Sequence, residues 1–367
     1  MPVHKTFAFL LTALLAAPGL LFAEPISIVA VGDLLLGGSA SQTVRQNGFA
    51  YPFRGTLETI RRADIALANL EAPLTARGEK HPDKQFTFRV PPAAAMEIKQ
   101  AGFDLMTLAN NHMGDYGEQG VLDTIASLEE AGLGFTGAGR DLRQARTPHV
   151  ITIDGISFAF FAYSNTFPES FYAKKEKPGT APGYFDQVAA DIRRASRQYD
   201  VVIASFHWGG EKLDAPKDYQ VELGHLAIDC GAKVVIGHHP HVLQGAELYH
   251  GGVIYYSLGN YAFGSYSENS ATAGLARLWF DGSQLTRAEI LPLNVFNPEV
   301  HFQPRVLAHG PAYAFAREFN AYSEPFNTRL ARQPDLFWGI EKIESIEEQP
   351  LVGHKDAKDT KKSDKAL

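Results

Sequence analysis

Of 367 residues only one is a cysteine, Cys230. That excludes an intrachain disulfide and any zinc or iron–sulfur centre built from thiolates. Cys230 lies in an apolar helical pattern and reads as a small buried hydrophobe. The chain also lacks a basic surplus: 34 Lys and Arg stand against 41 Asp and Glu, a net charge of -7 with His neutral. Proteins that bind a nucleic-acid backbone are usually basic, so no nucleic-acid partner is expected. No apolar run beyond the opening residues is long enough to span a membrane. The glycines of Gly137-Ala138-Gly139 lack the strand–G-x-G-x-x-G–helix context of a dinucleotide site and read as a turn. No repeat and no interdomain linker is visible.

Both ends have a distinct character. Lys5, the apolar run over residues 7–22 and Ala23 before Glu24-Pro25 match the three parts of a secretory signal. Residues 1–23 are therefore expected to be a signal peptide, with an uncleaved N-terminal anchor as the alternative. A lipoprotein anchor is excluded because no cysteine stands at the cut. The expected location is periplasmic or otherwise extracytoplasmic, free or held at the membrane. Export without disulfides suits a bacterial periplasm. Residues 351–367, rich in Lys and Asp, have no apolar periodicity and read as a disordered tail.

Between the ends the chain is 45% hydrophobic and 11% aromatic, enough for a large core. β-Branched runs alternate with helical periodicities. Strands are expected at residues 26–31, 64–68, 103–109, 200–206, 233–236 and 253–258, and a strand or edge segment at 86–90. Hairpins are expected across Asp154-Gly155 and Asp281-Gly282-Ser283. Helices are expected at 57–62, 92–101, 121–128, 185–198 and 219–230, the last with Val221, Leu226 and Ile228 as apolar positions. Residues 167–183 read as a surface loop and candidate lid. This pattern predicts a layered α/β fold with a mixed sheet. One domain would cover residues 24–295, with a less regular C-terminal extension at 296–350 packed on it.

The chemistry gathers at strand ends. Gly237-His238-His239-Pro240-His241 places three of the thirteen histidines within five residues. His239 and His241 are two apart, so extended backbone would put them on one face. Asp33, Glu71, Asn111, His112, His207 and Asn260 also follow apolar runs, and Asn69 shares a face with Glu71. Ligands bind at the carboxyl edge of strands in open α/β folds. Carboxylates, an amide oxygen and imidazoles without thiolates suit one or two divalent cations, with a carboxylate between them. Each residue also has a plain structural reading: a turn aspartate, a buried ion-pair partner, a turn amide or a hydrogen-bonded core histidine. Asp115 either orients His112 or caps the helix after Gly117.

The segments G-D-L-L-L-G, N-L-E-A-P-L-T, L-A-N-N-H-M-G-D-Y-G, H-W-G-G-E, V-V-I-G-H-H-P-H-V and I-Y-Y-S-L-G-N-Y-A-F resemble the bacterial capsule-synthesis, or poly-γ-glutamate-synthesis, protein family. That family falls within the calcineurin-like metallophosphoesterases. The resemblance covers roughly residues 26–292. It implies a four-layer α/β/β/α sandwich with mixed sheets and a centre of one or two manganese, zinc or iron ions. By position it implies Asp33, Glu71, Asn111, His207, His239 and His241 as ligands, with His238 as the alternative to His239. It implies His112 as the catalytic histidine, with Asp115 beside it. Leu35 stands where the superfamily's first motif, D-x-H, has its histidine, and Asn110 replaces a glycine. Asn69, Asn110, Trp208, Glu211 and Asn260 would line or support the site.

The expected function is an exported metal-dependent hydrolase acting on a phosphoester or amide of an anionic cell-envelope polymer or its precursor. Lys174, Lys175, Lys177 and Lys212 are candidates to receive the substrate's carboxylates. A membrane synthesis or export complex is the second expected partner. A non-catalytic polymer-binding or export component is the main alternative, favoured by Leu35. A metal-dependent peptide hydrolase or epimerase is the other.

Overall fold

The computed structural model describes residues 24–343. The expected signal peptide (1–23) and tail (351–367) lie outside the described residues. The first strands, β1 (Ile26–Leu34), β2 (Ile65–Leu70), β3 (Leu105–Thr107) and β4 (Gly134–Thr136), are parallel neighbours. Next come β5 (Ala138–Gly139), β6 (His149–Ile153), β7 (Ile156–Ser164) and β8 (Gly179–Thr180), then β9 (Val201–His207), β10 (Val234–His238), β11 (Ala246–Tyr249) and β12 (Gly252–Tyr255). The chain closes with β13 (Thr272–Asp281), β14 (Gln284–Asn294), β15 (Arg305–Val306), β16 (Thr328–Arg332) and β17 (Trp338–Lys342). One nine-stranded sheet runs β16-β17-β14-β13-β1-β2-β3-β4, with β15 paired to β14; a six-stranded sheet runs β11-β12-β10-β9-β7-β6. Both mix parallel and antiparallel pairs, and β5 pairs β8 apart from them.

Strand alternation builds the layers. On β1, Ile28 and Ala30 face the second sheet and pack with Phe158, Phe160, Ile203 and Ile236. Val29 and Val31 face the other way, onto a layer with Ile98, Ile125 and Leu128 from the helices Ala94–Gln100 and Gly117–Ala131. The second sheet covers its outer face with Val188 and Ile192 of Phe185–Ala195 and Leu223 and Ala227 of Asp218–Asp229. Period-two patterning thus gives each sheet one face toward its partner and one toward helices. The result is the α/β/β/α sandwich that the resemblance implied.

Several local expectations change. Residues 86–90 form no strand; only Val90 makes a bridge, to Leu74. The surface loop and candidate lid expected at 167–183 is exposed at Phe167, Glu169, Ser170 and residues 174–176, but it is anchored: Phe171, Tyr172 and Ala173 are buried and β8 ties it to β5. The helix Asp218–Asp229 turns Leu223, Ala227 and Ile228 inward, and Val221 and Leu226 are only half-buried. The hairpin β11–β12 around His250-Gly251 was not expected. Residues 296–343 are more regular than expected. They hold the helix His309–Ser323 and two strands at the edge of the larger sheet. Phe315, Phe319, Leu330, Trp338 and Ile340 join the core between the sheets.

Candidate metal centre

β1 continues past the expected stop at Val31. The register with β2 shifts between Ala30 and Asp33, so β1 holds one extra residue there and Asp33 lies opposite Asn69. A bulge of this kind re-aims a side chain at the end of a strand. Asp33 N–H donates to the Gly259 carbonyl (3.1 Å), and the Asp33 carbonyl accepts from Tyr261 N–H (2.8 Å). Glycine is needed at position 32, where a Cβ would stand 1.9 Å from the Gly259 oxygen. β2 delivers Asn69 and Glu71, and Glu71 N–H donates to the Leu34 carbonyl (2.9 Å). After β3 the Asn110 amide donates to Asn69 Oδ1 (3.1 Å) and the Leu70 carbonyl (2.8 Å), while its Oδ1 accepts from His112 N–H (3.1 Å). Asn110 is therefore a brace between two strand ends.

The second sheet brings the imidazoles. His207 is the last residue of β9 and His238 the last of β10, paired side by side. His239 and His241 then have φ of 95° and 57°. Their approach to one another does not come from extended backbone, as the spacing predicted, but from left-handed backbone on either side of Pro240. Such φ values in non-glycine residues are uncommon and cost about 1–3 kcal/mol each, which is characteristic of functional sites.

These pieces meet at one rim. Asn69 Nδ2 donates to Asp33 Oδ1 (2.9 Å) and Glu71 Oε2 (3.1 Å). His207 Nε2 lies 2.9 Å from Asn111 Oδ1 and 3.8 Å from Glu71 Oε1. His241 Nε2 is 3.5 Å from the same Glu71 oxygen, and its Nδ1 lies 3.1 Å from Asp33 Oδ2 and 2.9 Å from Asn260 Oδ1. His238 Nδ1 comes within 3.2 Å of Asp33 Oδ1, out of line for a hydrogen bond. Asp33, Glu71 and His207 are fully buried.

The charges set the titration. Burial alone would raise Asp33, but His238 and His241 hold its carboxyl well below the ordinary range. Burial and the neighbouring Asp33 charge push Glu71 well above it. Burial, reinforced by His239, depresses His207; burial, reinforced by His241, takes His239 down to about 3. Burial also opposes a charge on His241, yet Glu71 and Asp33 outweigh it and raise it to about 9.

The donor set fits divalent cations. Glu71 Oε1 and His239 Nδ1 are buried without a hydrogen-bond partner among the described residues. A buried polar atom left unpaired is costly and calls for a missing partner. Two groups of side chains come within ligating distance of one another: Glu71 with His207 and His239, and Asp33 with Glu71 and His241. They share Glu71, the carboxylate expected to lie between two cations. Asn111 Oδ1 extends the first set to four donors. The second has no contribution from position 35, because Leu35 is buried in the apolar layer beneath the sheet. Glu211 with His239 and His241 forms a third, more exposed grouping.

Beside these candidate ligands, His112 Nδ1 lies 2.7 Å from Asp115 Oδ2. Lys84 Nζ, which only donates, stands 3.2 Å from the same Nδ1, but the shorter contact is to the carboxylate, which only accepts; that contact places the proton on Nδ1 and leaves Nε2 with no hydrogen bond among the described residues. Of the two contacts expected of Asp115, the one with His112 is present. The helix that begins at Gly117 takes no side-chain cap. Asp115 also accepts from Phe88 N–H (2.7 Å) and from Lys84 Nζ (2.6 Å). Lys84 donates further to the Asn111 carbonyl and is 14% exposed. Lys84 escaped the sequence reading because it sits in irregular backbone between strands. Its only signal there was a lysine beside Phe86 and Phe88.

A cavity of about 380 Å³ opens on His112 and His241. Its walls include Phe86, Phe88, Phe263 and Tyr266, with Glu211, Lys212 and Asn260 at its polar positions. Of the four lysines proposed to meet substrate, only Lys212 lines it. Trp208 does not line it: the indole is fully buried, stacked on Phe206 at 4.8 Å, and donates to the Tyr256 carbonyl (2.9 Å). Trp208 packs beneath the histidine turn, where Gly237 leaves no room for a side chain. Asn260, by contrast, holds His241 directly and is steadied by Ser265 (2.8 Å).

The profile of the bacterial capsule synthesis protein PGA_cap matches residues 27–265. The chain is 30% identical over 279 residues to the capsule biosynthesis protein CapA of Bacillus anthracis, covering 74% of this chain and 68% of the relative. It is 30% identical over 274 residues to the PGA biosynthesis protein CapA of Bacillus subtilis, covering 74% and 72%. Among solved structures it is similar to a putative 5'-nucleotidase from Staphylococcus aureus, at 15% identity and a TM-score of 0.46 over 74% of this chain and 54% of that one.

Proposed function

The chain belongs to the bacterial capsule synthesis protein family, and we propose that it is an exported metal-dependent hydrolase. Its substrate would be a phosphoester or amide in an anionic cell-envelope polymer or its precursor. The observation that carries this reading is the unpartnered Glu71 Oε1, buried between His207 and His241 with the Asp33 carboxylate alongside. Asn111, His207 and His239 with Glu71 would hold one cation, and Asp33, Glu71 and His241 a second. A cation bound there supplies a Lewis acid and an acidified water. Manganese, zinc and iron all suit this oxygen and nitrogen set.

The chain's own residues supply the rest. Asn69 fixes both carboxylates in orientation through its amide hydrogens. Asp115 holds the His112 tautomer, so Nε2 is the atom through which a proton is exchanged with the reacting group. Burial lowers the pKa of His112 against the pull of Asp115, so the resting ring is neutral and accepts a proton before it gives one. The role expected from the sequence, donation to a leaving group, thus requires a proton taken up earlier in the cycle. Lys212 and Glu211 at the cavity mouth meet the flanking part of the substrate.

Metal analysis of the purified mature chain is the test. Binding of one to two manganese or zinc ions, with turnover of phosphodiester or γ-glutamyl substrates that chelator abolishes, is the expected result. No metal uptake on dialysis would sink the reading. Export is checked separately, by fractionation and by the N-terminus of the mature protein. A non-catalytic polymer-handling role is favoured by one observation, Leu35, which leaves the Asp33 set a ligand short. Polymer binding with stoichiometric metal and no turnover of any of these substrates would select it.

A further inference from the structure

A cavity of about 800 Å³ shares no lining residue with the candidate metal centre. It is walled by the helix Phe185–Ala195, the short helix Leu142–Ala145 and the segment carrying Lys175. Four cations line it, Arg143, Arg146, Lys175 and Arg194, against two carboxylates, Asp141 and Asp191. Neither carboxylate is free. Asp141 caps its helix by accepting from Gln144 N–H (2.7 Å). Asp191 is buried and bonded to Arg146 Nε (2.8 Å) and Arg194 Nη2 (2.7 Å). Those bonds hold two guanidinium groups in place; Arg146 Nη2 also donates to the Gln187 carbonyl (3.3 Å), and the remaining N–H donors have no partner among the described residues. Arg143 and Lys175 are exposed and make no ion pair among the described residues. Phe161 and Tyr199 supply apolar surface. In a chain of net charge -7, this is a concentrated positive site.

We propose that this cavity is a second docking site for an anionic polymer, one whose carboxylates are separated by short methylene segments. It rests on the polymer-directed reading above. Guanidinium forks match carboxylates in pairs, and the apolar wall accepts the methylenes between them. The volume falls within the range that encloses a drug-sized ligand, about 300–1,000 Å³, so it takes more than one repeat of a polyglutamate. The polymer would be held here while another part of it reaches the metal centre.

The probe is fluorescein-labelled poly-γ-glutamate, followed by fluorescence anisotropy at low salt, with chelator and with manganese. Binding is expected in both conditions and is expected to weaken as salt rises. The double variant Arg143→Glu/Lys175→Glu should bind at least about tenfold more weakly, through lost charge complementarity. Arg143→Gln/Lys175→Gln, which only neutralises, should fall between, and circular dichroism should show both variants folded. Unchanged affinity in the reversal variant, no binding at low salt, or equal affinity for single-stranded DNA of matched charge would overturn the proposal. Loss of metal or of turnover with binding retained in chelator would count against the hydrolase reading alone.

Discussion

Glu71 lies wholly buried beside Asp33, whose charge adds to burial in making Glu71 harder to ionise. Without a cation that arrangement destabilises the fold; a cation bound as proposed would turn it into an attraction. Glu71→Gln removes a charge at nearly constant shape. It is expected to raise the Tm of the chelated protein while abolishing the Tm increase that metal gives the parent, as scanning calorimetry with and without manganese would read. Asp115→Asn acts differently, since an amide no longer enforces the His112 tautomer. Metal content should be unchanged, and turnover should fall by about 10²–10⁴-fold, the range of general acid–base catalysis. The imidazoles give a pH dependence to the metal-free protein. His207 and His239 titrate below the free value of 6.5, so below that pH the unfolded chain takes up more protons than the folded one. Stability should therefore fall as pH drops from 6.5 toward 4. His241 has the opposite sign: its contribution is complete below 6.5 and is lost as pH rises through about 9. Thermal melts of chelated protein across this range test both limbs, and a flat profile would contradict the electrostatics.

The decisive elements are turns at strand ends. A bulge in β1 and a left-handed turn after β10 aim the candidate ligands, and both need glycine where main chains touch. At Gly237 a Cβ would stand 1.9 Å from the Tyr256 carbonyl and 2.6 Å from Trp208 Nε1. Neither neighbour is a flexible side-chain end, so the strand would have to shift. Gly237→Ala should destabilise by about 3 kcal/mol, at the upper end of overpacking effects, and should loosen the histidine turn. The measurements are a denaturant midpoint and a metal affinity on the same variant. The apolar runs of these strands were legible because alternation and β-branching are local signals. Their last residues were not: β1 was expected to stop at Val31, and His239 and His241 to share an extended face. Backbone twist of that kind is set by contacts with residues far along the chain, such as Gly259 and Tyr256.

At the scale of the molecule, the site exists only where the two sheets meet. Asp33, Glu71 and Asn111 arrive from the larger sheet, and His207, His239 and His241 from the smaller. The C-terminal residues belong to that same core. Ending the chain at residue 295 would remove β16, β17 and the helix His309–Ser323 and expose the apolar face they cover. The truncated protein is expected to lose cooperative unfolding and to aggregate, as calorimetry and light scattering would show; a folded, metal-binding 24–295 fragment would refute this.

The sequence by itself determined the α/β class, the inventory of ligand types and their places after apolar runs. Periodicity, turn residues and donor chemistry are properties of short stretches. The six ordered motifs also marked the family. Only the tertiary structure decided which side chains meet. It set Trp208 into the core, brought Lys84 to Asp115, and made one oxygen of Glu71 common to two histidines. It also gathered four cations from three separate segments around one cavity. The reason is physical: convergence depends on bulges, left-handed turns and sheet-to-sheet packing. Those are fixed by long-range contacts that no local pattern encodes.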